Sequence, residues 1–588
     1  MSSSFGGTHP ADRPLFVRVG GTEGFVKVGA AAAFPNAWYC RSRPLPGSGA
    51  RPKPWGEPVC RIAGGDAGDL VRNNLQQVSN TDKRVAALFA QPPSRPLRFQ
   101  RWYWRRHLPR LVVVSNRVAV PDPSGKGAAG GLAVAVREAF QTQGGLWFGW
   151  SGKVTAEPDA QPKIIDKQGV QYALMDLRPI DRQEYYNGFA NRALWPTMHY
   201  RSGLSEFSRA DLAGYLRVNH TFASALARLL QPDDLVWVHD YHLIPLAAEL
   251  RVLGATNPIG YFHHIPWPAP EVFGTLPGSR ELLRAVADYD LVGVQIEQDA
   301  DNLRRGLVQE LGAAQSSADR LAVNGRHTWV KSFPIGIDVK GFRQAAERVG
   351  PNRIVEQVLA SLGTRKLIIG VDRLDYSKGI PERMQAFERF LVSNPDQRGL
   401  VTYLQIAPKT RGDVPEYATL SRAVNQTLGR INGGLGEPGW VPIHYVTSTY
   451  TRPVLARLCR LARIGLVTPM RDGMNLVAKE YVAAQDAADP GVLILSKFAG
   501  AAQQLTDALI VNPSDKFEVA QAIREGLHMS RDERVSRWEA MFRSLGEQDV
   551  TWWAATYVRD LAASKLTTST HRPMRMRADK ADYVNCRR

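Results

Sequence analysis

From Leu111 to Val511 the chain keeps returning to one unit: a short apolar run, a polar or glycine-bearing loop, then a segment of helical period. LVVV, LVWV, LIIG, LVTYLQI, IGLV and VLIL are the clearest of the apolar runs. Runs of this kind read as strands buried on both faces, which parallel sheets between two layers of helices provide. The alternation lies on both sides of residues 340–365. An α/β architecture is therefore expected, with two doubly wound, Rossmann-like domains facing a shared cleft. At 588 residues the chain is long enough for both and for extensions beyond them.

One unit is especially informative. In GLVTPMRDGMNLVAKEYVAAQ, Gly465 to Gln485, an apolar strand leads into a turn bearing Arg471, Asp472 and Gly473, with Met474 closing it. Asn475 is a helix N-cap by residue type, and a helix is expected from Leu476 to Ala484. Free backbone N–H groups at such a helix start favour an anion. Glu480 stands where a carboxylate could accept hydrogen bonds from a ribose. An ordinary strand–helix connection would look much the same, so the neighbouring units have to decide between the two readings.

The net charge of +18 is carried mostly by the ends. Residues 1–108 hold 16 basic and 6 acidic side chains, and residues 565–588 hold 7 and 2, which leaves +3 for the middle. The basic pI is thus a weak argument for nucleic-acid binding by the folded part. Cys40, Cys60, Cys459 and Cys586 fit neither a zinc site nor a disulfide framework. No apolar run is long enough for a membrane-spanning helix, and the start lacks the pattern of a secretory signal. A cytoplasmic protein is expected.

Residues 1–108, rich in Gly, Pro, Ala and Arg, read as a basic, partly disordered extension. FQRWYWRRHLPR within it could touch RNA or an anionic membrane, although a solvated extension is the plainer reading. The first regular element is expected at Leu111, ending in Arg117. Gly130 and Gly131 open a helix from Leu132 to Gln141 and let a ligand approach the backbone. The aromatic group Tyr185, Tyr186, Trp195 and Tyr200 reads more as core than as a sugar platform. Asp240 and His264 each follow an apolar strand, where open α/β sheets bind ligands. HDYH and HH lack the helical carboxylate–His spacing of a metal site, so sugar hydrogen bonding is the better reading.

The second half supplies Arg373 and Lys378 in the loop after LIIGV. Two cations and a helix N-terminus suit a diphosphate. No Asp-x-Asp motif for a metal-held diphosphate is evident, so fixed cations would have to stabilise the leaving group and no metal or other cofactor is expected.

These motifs also carry a family resemblance. SNR with AAGGLAV, LWFGWSG, EYYNGF with LWP, HDYHL, HHIP, VDRLDYSKG, RGDV and RDGMNLVAKEY occur in order over about residues 110–565. Together they closely resemble the trehalose-6-phosphate synthases, retaining glycosyltransferases of GT-B fold, family 20. The resemblance implies transfer of glucose from UDP-glucose to glucose 6-phosphate without a catalytic metal. It implies acceptor contacts at Arg117, Tyr186, Trp195, Asp240 and Arg411, the first and last reading the phosphate. Gly130, Gly131 and His264 would lie beside the donor glucose, and Asp472 would hold a glucose hydroxyl. Arg373 and Lys378 would bind the diphosphate. Tyr450 would contact the base through its backbone, and Gly473, Met474, Asn475, Leu476, Val477 and Glu480 would complete the donor site.

The implied division is an acceptor domain at 109–345, a donor domain at 346–548, a helix at 549–565 returning to the first domain, and a basic tail at 566–588. A phosphatase domain, fused in many eukaryotic members, is not expected. Small-molecule substrates and a homo-oligomer are expected, without nucleic-acid or membrane partners. Glucosylglycerol-phosphate synthase shares most donor motifs and is the rival enzyme. A catalytically inactive sugar-phosphate sensor is the rival of another class, and a nucleic-acid-binding protein rests on the termini alone.

Overall fold

The computed structural model describes residues 15–18, 25–28, 109–121, 136, 140, 144–348, 350–410 and 415–568. The extension before residue 109 otherwise lies outside them, as do residues 569–588 of the basic tail and the glycine pair. Within the extension there is one regular feature that the sequence reading passed over. Strands β1 (Leu15–Arg18) and β2 (Phe25–Val28) pair antiparallel, with Leu15 opposite Val28. Both are four-residue runs, LFVR and FVKV, too brief to stand out from their surroundings. They belong to a unit of their own, Met1–Arg95, and all other described elements belong to Pro96–Arg588.

The first large sheet is built on β3 (Leu111–Arg117), β4 (Gly145–Val154), β5 (Lys163–Lys167), β6 (Val170–Leu177), β7 (Leu235–His239), β8 (Ile259–Phe262) and β9 (Leu291–Val294), and is completed by β10 (Ala314–Gln315), β11 (Arg320–Val323) and β12 (Arg326–Ser332). Its order is β10-β11-β12-β9-β8-β7-β3-β4-β6-β5. The central strands are parallel. All five residues of β7 and the first five of β3 are buried, so these strands read as unbroken apolar runs. The edges are antiparallel hairpins. Their turns, Gln168-Gly169 and Asn324-Gly325, have positive φ at both residues, the geometry that suits a two-residue hairpin.

The second sheet contains β13 (Lys366–Val371), β14 (Val401–Ile406), β15 (Ile443–Val446), β16 (Ile464–Val467), β17 (Val492–Ser496) and β18 (Leu509–Val511). Its order, β15-β14-β13-β16-β17-β18, is parallel throughout and is the doubly wound order. Ignoring its hairpin edges, the first sheet follows the same order. Each sheet therefore has a switch point, between β3 and β7 in the first and between β13 and β16 in the second, where chain crossovers diverge and leave a crevice.

The helix Val550–Thr568 returns to the first sheet, as expected. Tyr557 stacks on Trp237 with ring centroids 4.6 Å apart. Its hydroxyl lies 3.0 Å from the Tyr261 carbonyl and 3.2 Å from that of Leu291. Gly260 and Gly293 make room for it, because a side chain at either would overlap Tyr557. Val136 and Phe140 are helical and buried, as the helix placed there requires. Among the described residues no helix is long and apolar enough to cross a membrane.

Candidate functional site

The helix Leu476–Ala484 has the bounds the sequence indicates. Asn475 caps it, accepting from the Ala478 N–H at 3.3 Å with its own backbone at φ 72°. The Asn475 amide also donates to Asp472 Oδ2 at 3.0 Å. The same carboxylate is paired with the Lys378 ammonium, which comes from the loop after β13. Lys378 and Asp472 are 94 positions apart in sequence yet stand together at the switch point of the second sheet.

Beneath them lies a buried cluster that sequence reasoning missed. Arg383 is about 1 % exposed. Its guanidinium donates to Asp372 Oδ2 at 2.6 Å, Thr468 Oγ1 at 3.0 Å, Gln405 Oε1 at 3.1 Å and the Lys378 carbonyl at 3.1 Å. One side chain thus ties the ends of β13, β14 and β16 to the loop carrying Lys378. A buried guanidinium with every partner charge-assisted or polar fixes geometry well. Asp375 adds to this, accepting from the Ser377 N–H at 3.0 Å and the Tyr417 hydroxyl at 3.0 Å.

On the first sheet, Asp240 follows β7 with φ 75°, a conformation unusual for a residue other than glycine. Its Oδ1 accepts from the His264 N–H at 3.4 Å. The His264 ring lies 3.0 Å from His239 Nδ1 through Nε2. Burial pushes His264 down to about 3, so the ring is neutral at physiological pH. His263 and His199 are likewise held low, at about 3 and about 4, chiefly by burial. Positive charge in this region therefore comes from arginine and lysine rather than from imidazolium.

Tyr186 lies in the π-helix Arg182–Leu194, an element the sequence did not signal. It stacks on His242 at 5.7 Å with an interplanar angle of 12°. Trp150 follows at 5.7 Å from Tyr186, and the Arg117 guanidinium lies 5.9 Å from the Trp150 ring. Arg117 is exposed and lies across Gly152, where a Cβ would come within 2.6 Å of it. Of the aromatic group, Tyr185 and Trp195 are core, while Tyr186 and Tyr200 are only partly covered.

Three contacts bring the two sets of loops together. The exposed Arg373 has its guanidinium 5.8 Å from the Trp195 ring. The Arg471 guanidinium lies 3.8 Å from the Tyr200 ring. Gly473 abuts the first-sheet loop so closely that a side chain there would overlap the His264 carbonyl oxygen. Leu476, Val477 and Tyr450 are half-buried, and Met474 is buried. Desolvation pushes the half-buried Glu480 up to about 7, against the pull of Arg452. Gly130, Gly131 and Arg411 lie outside the described residues. Among the described residues no group of three or more His, Cys, Asp or Glu side chains is arranged to hold a metal ion.

Two doubly wound sheets with facing crevices, cations and a capped helix start on one side and polar groups on the other, define the GT-B class of glycosyltransferase fold. Comparison with known proteins agrees. The family model "Glycosyltransferase family 20" matches residues 109–563, and the chain belongs to that family. A trehalose-6-phosphate synthase of Sinorhizobium fredii is 51% identical over 457 residues, covering 77% of this chain and 98% of that protein. A solved Burkholderia xenovorans alpha,alpha-trehalose-phosphate synthase (UDP-forming), in complex with glucose-6-phosphate, aligns with TM-score 0.74 at 46% identity over 77% of this chain and 99% of that one. The E. coli protein bound with UDP-2-fluoro glucose gives the same TM-score, 0.74, at 46% identity, with 77% and 99% covered.

Proposed function

We propose that this chain is a trehalose-6-phosphate synthase, transferring glucose from UDP-glucose to glucose 6-phosphate with retention, to give α,α-trehalose 6-phosphate and UDP. The observation that carries the reading is the meeting of the Asp472–Asn475 loop with His264 across the crevices. It supports a reading in which a diphosphate-binding set lies beside a sugar-binding one. The relatives named above support the substrates, one being solved with glucose-6-phosphate and one with a UDP-glucose analogue.

In this reading residues 346–548 hold the donor. Arg373 and Lys378 bind the diphosphate and stabilise its charge as the glycosidic bond breaks. The first turn, Leu476 and Val477, adds backbone N–H groups, Glu480 takes the ribose diol, and Tyr450 meets the base. Asp472, oriented by Lys378 and Asn475, accepts from a glucose hydroxyl. Residues 109–345 hold the acceptor through Tyr186, Trp195 and Asp240, with Arg117 and Arg411 on its phosphate.

The acceptor hydroxyl attacks the anomeric carbon from the face the diphosphate leaves. The new C–O bond forms, the bond to phosphate breaks, and the acceptor proton passes to the departing phosphate oxygen. Retention then needs no enzymic nucleophile, and Arg373 and Lys378 supply the positive charge that a metal would otherwise bring. Four cysteines without a disulfide-framework spacing suit a reducing compartment, and we place the enzyme in the cytoplasm.

The test is purified protein with UDP-, GDP- or ADP-glucose and either glucose 6-phosphate or glycerol 3-phosphate, with products separated. Turnover of UDP-glucose with glucose 6-phosphate is expected. Preference for glycerol 3-phosphate would make it a glucosylglycerol-phosphate synthase, and tight binding of the sugar phosphate without turnover would make it a sensor.

A further inference from the structure

Between the two halves of the site runs a chain of hydrogen bonds that the mechanism above leaves unused. Gln295 follows β9 and is about 1 % exposed. Its Oε1 accepts from the backbone N–H of Ile335 at 3.0 Å. Its Nε2 lies 3.5 Å from His264 Nδ1. Ile335 belongs to the segment that leaves the first sheet after β12. From the other side, Lys479 of the helix Leu476–Ala484 donates to the Ile335 carbonyl at 2.7 Å. Lys479 is fully buried, and among the described residues that carbonyl is the one hydrogen-bond partner of its ammonium. The segment is held at a third point, where the Val550 N–H donates to the Ile337 carbonyl at 3.2 Å.

The directions of these bonds are fixed by chemistry. An amide oxygen can only accept, so the Ile335 N–H sets which end of the Gln295 amide faces His264. That end is the NH2, which can only donate. His264 Nδ1 must then accept, its proton sits on Nε2, and Nε2–H donates to His239 Nδ1. Acceptance at Nδ1 requires a neutral ring, which the burial of His264 favours. With both ring nitrogens engaged, the imidazole is locked, and the His264 carbonyl is presented towards Gly473.

We propose that Gln295 and Lys479 are positioning residues for glucose transfer. By gripping the N–H and C=O of Ile335 they hold His264 in its Nε2–H form at a fixed distance from the helix that starts at Leu476. The sugar-facing loop and the nucleotide-facing helix are thereby set against each other through one residue of the crossover. The inference rests on the reading of His264 as a neighbour of the transferred glucose.

Two measurements test it. The first needs no substrate: histidine-selective 15N NMR of the intact chain, with the His264 signal identified by its loss in His264→Asn. Wild type should show Nδ1 unprotonated. Gln295→Glu, which turns a carboxylate towards Nδ1, should protonate it, and Gln295→Leu should give mixed tautomers. A protonated Nδ1 in wild type, or a His264 signal unmoved by both variants, would overturn the lock.

The second is a kinetic cycle. Gln295→Leu and Lys479→Met should each lower kcat about tenfold with KM for both substrates within about twofold, and the double variant should be no worse than the poorer single. Multiplied losses, or unchanged kcat in Gln295→Leu, would show that the two do not act through Ile335. Should Lys479→Met fail to fold, the NMR arm and the Gln295 variants decide. Should wild type form no product, the functional reading fails while the tautomer measurement still stands.

Discussion

Arg373 and Lys378 differ in a way that their shared loop does not suggest. Arg373 is exposed, with an aromatic ring as its near neighbour, whereas Lys378 is already paired with Asp472. Loss of Arg373 should therefore cost the transition state and not the fold. Arg373→Ala is expected to lower kcat by an amount equivalent to about 2–4 kcal/mol, with unchanged thermal melting. Near wild-type kcat would remove it from the leaving-group site. Glu480 offers a pH test. Its folded-state carboxyl is raised from 4.5 to about 7, so between those values the unfolded chain releases its proton first. Stability should fall as pH rises from 4.5 to 7, and Glu480→Gln should flatten that slope in denaturant titrations. An identical slope in the variant would show that the carboxyl titrates normally. At this scale sequence supplies residue types but not partners. Lys378 and Asp472 were both singled out in the sequence, yet their pairing was not legible, because three strand crossovers separate them. Arg383 reads as one more charge on an amphipathic helix, and only the convergence of three strand ends makes it a buried centre.

Whether an element could be read from the sequence followed from its burial. β3, β7 and β16 are covered on both faces, and so they appear as apolar runs. The helix Leu476–Ala484 announces itself through Asn475. The hairpins β5–β6 and β11–β12 escaped because edge strands leave one face to solvent and their alternation is broken by charge. The Asn324-Gly325 pair is nevertheless a strong turn signal that could have revealed the second. The π-helix Arg182–Leu194 has no comparable mark in the sequence; its Tyr185 and Phe189 pack against Tyr215. The loop before the Leu476 helix makes its own demand on sequence, because Gly473 sits against the backbone of the facing loop. Gly473→Ala should keep the melting temperature within a few degrees and lower kcat/KM at least about tenfold, since a methyl there pushes the two halves of the site apart by a fraction of an ångström. Unchanged kcat/KM would mean that the contact has no part in transfer.

For the whole molecule, the doubly wound order of both sheets places two crevices where two sets of loops meet, and the two-domain plan was legible from alternation alone. The acceptor was not legible from residue chemistry, because a phosphate and a sugar leave no unique pattern; the family motifs implied it. The family match begins at residue 109. Removal of residues 1–105 should accordingly leave kcat/KM unchanged in a soluble product, and an inactive or insoluble truncation would show that the extension supports the catalytic unit. The central claim is retentive transfer from UDP-glucose to glucose 6-phosphate, and NMR of the isolated product tests it most directly. Two α-anomeric protons and no free reducing end are the predicted result. A β-anomeric proton, or a reducing end that persists while UDP is released, would contradict it.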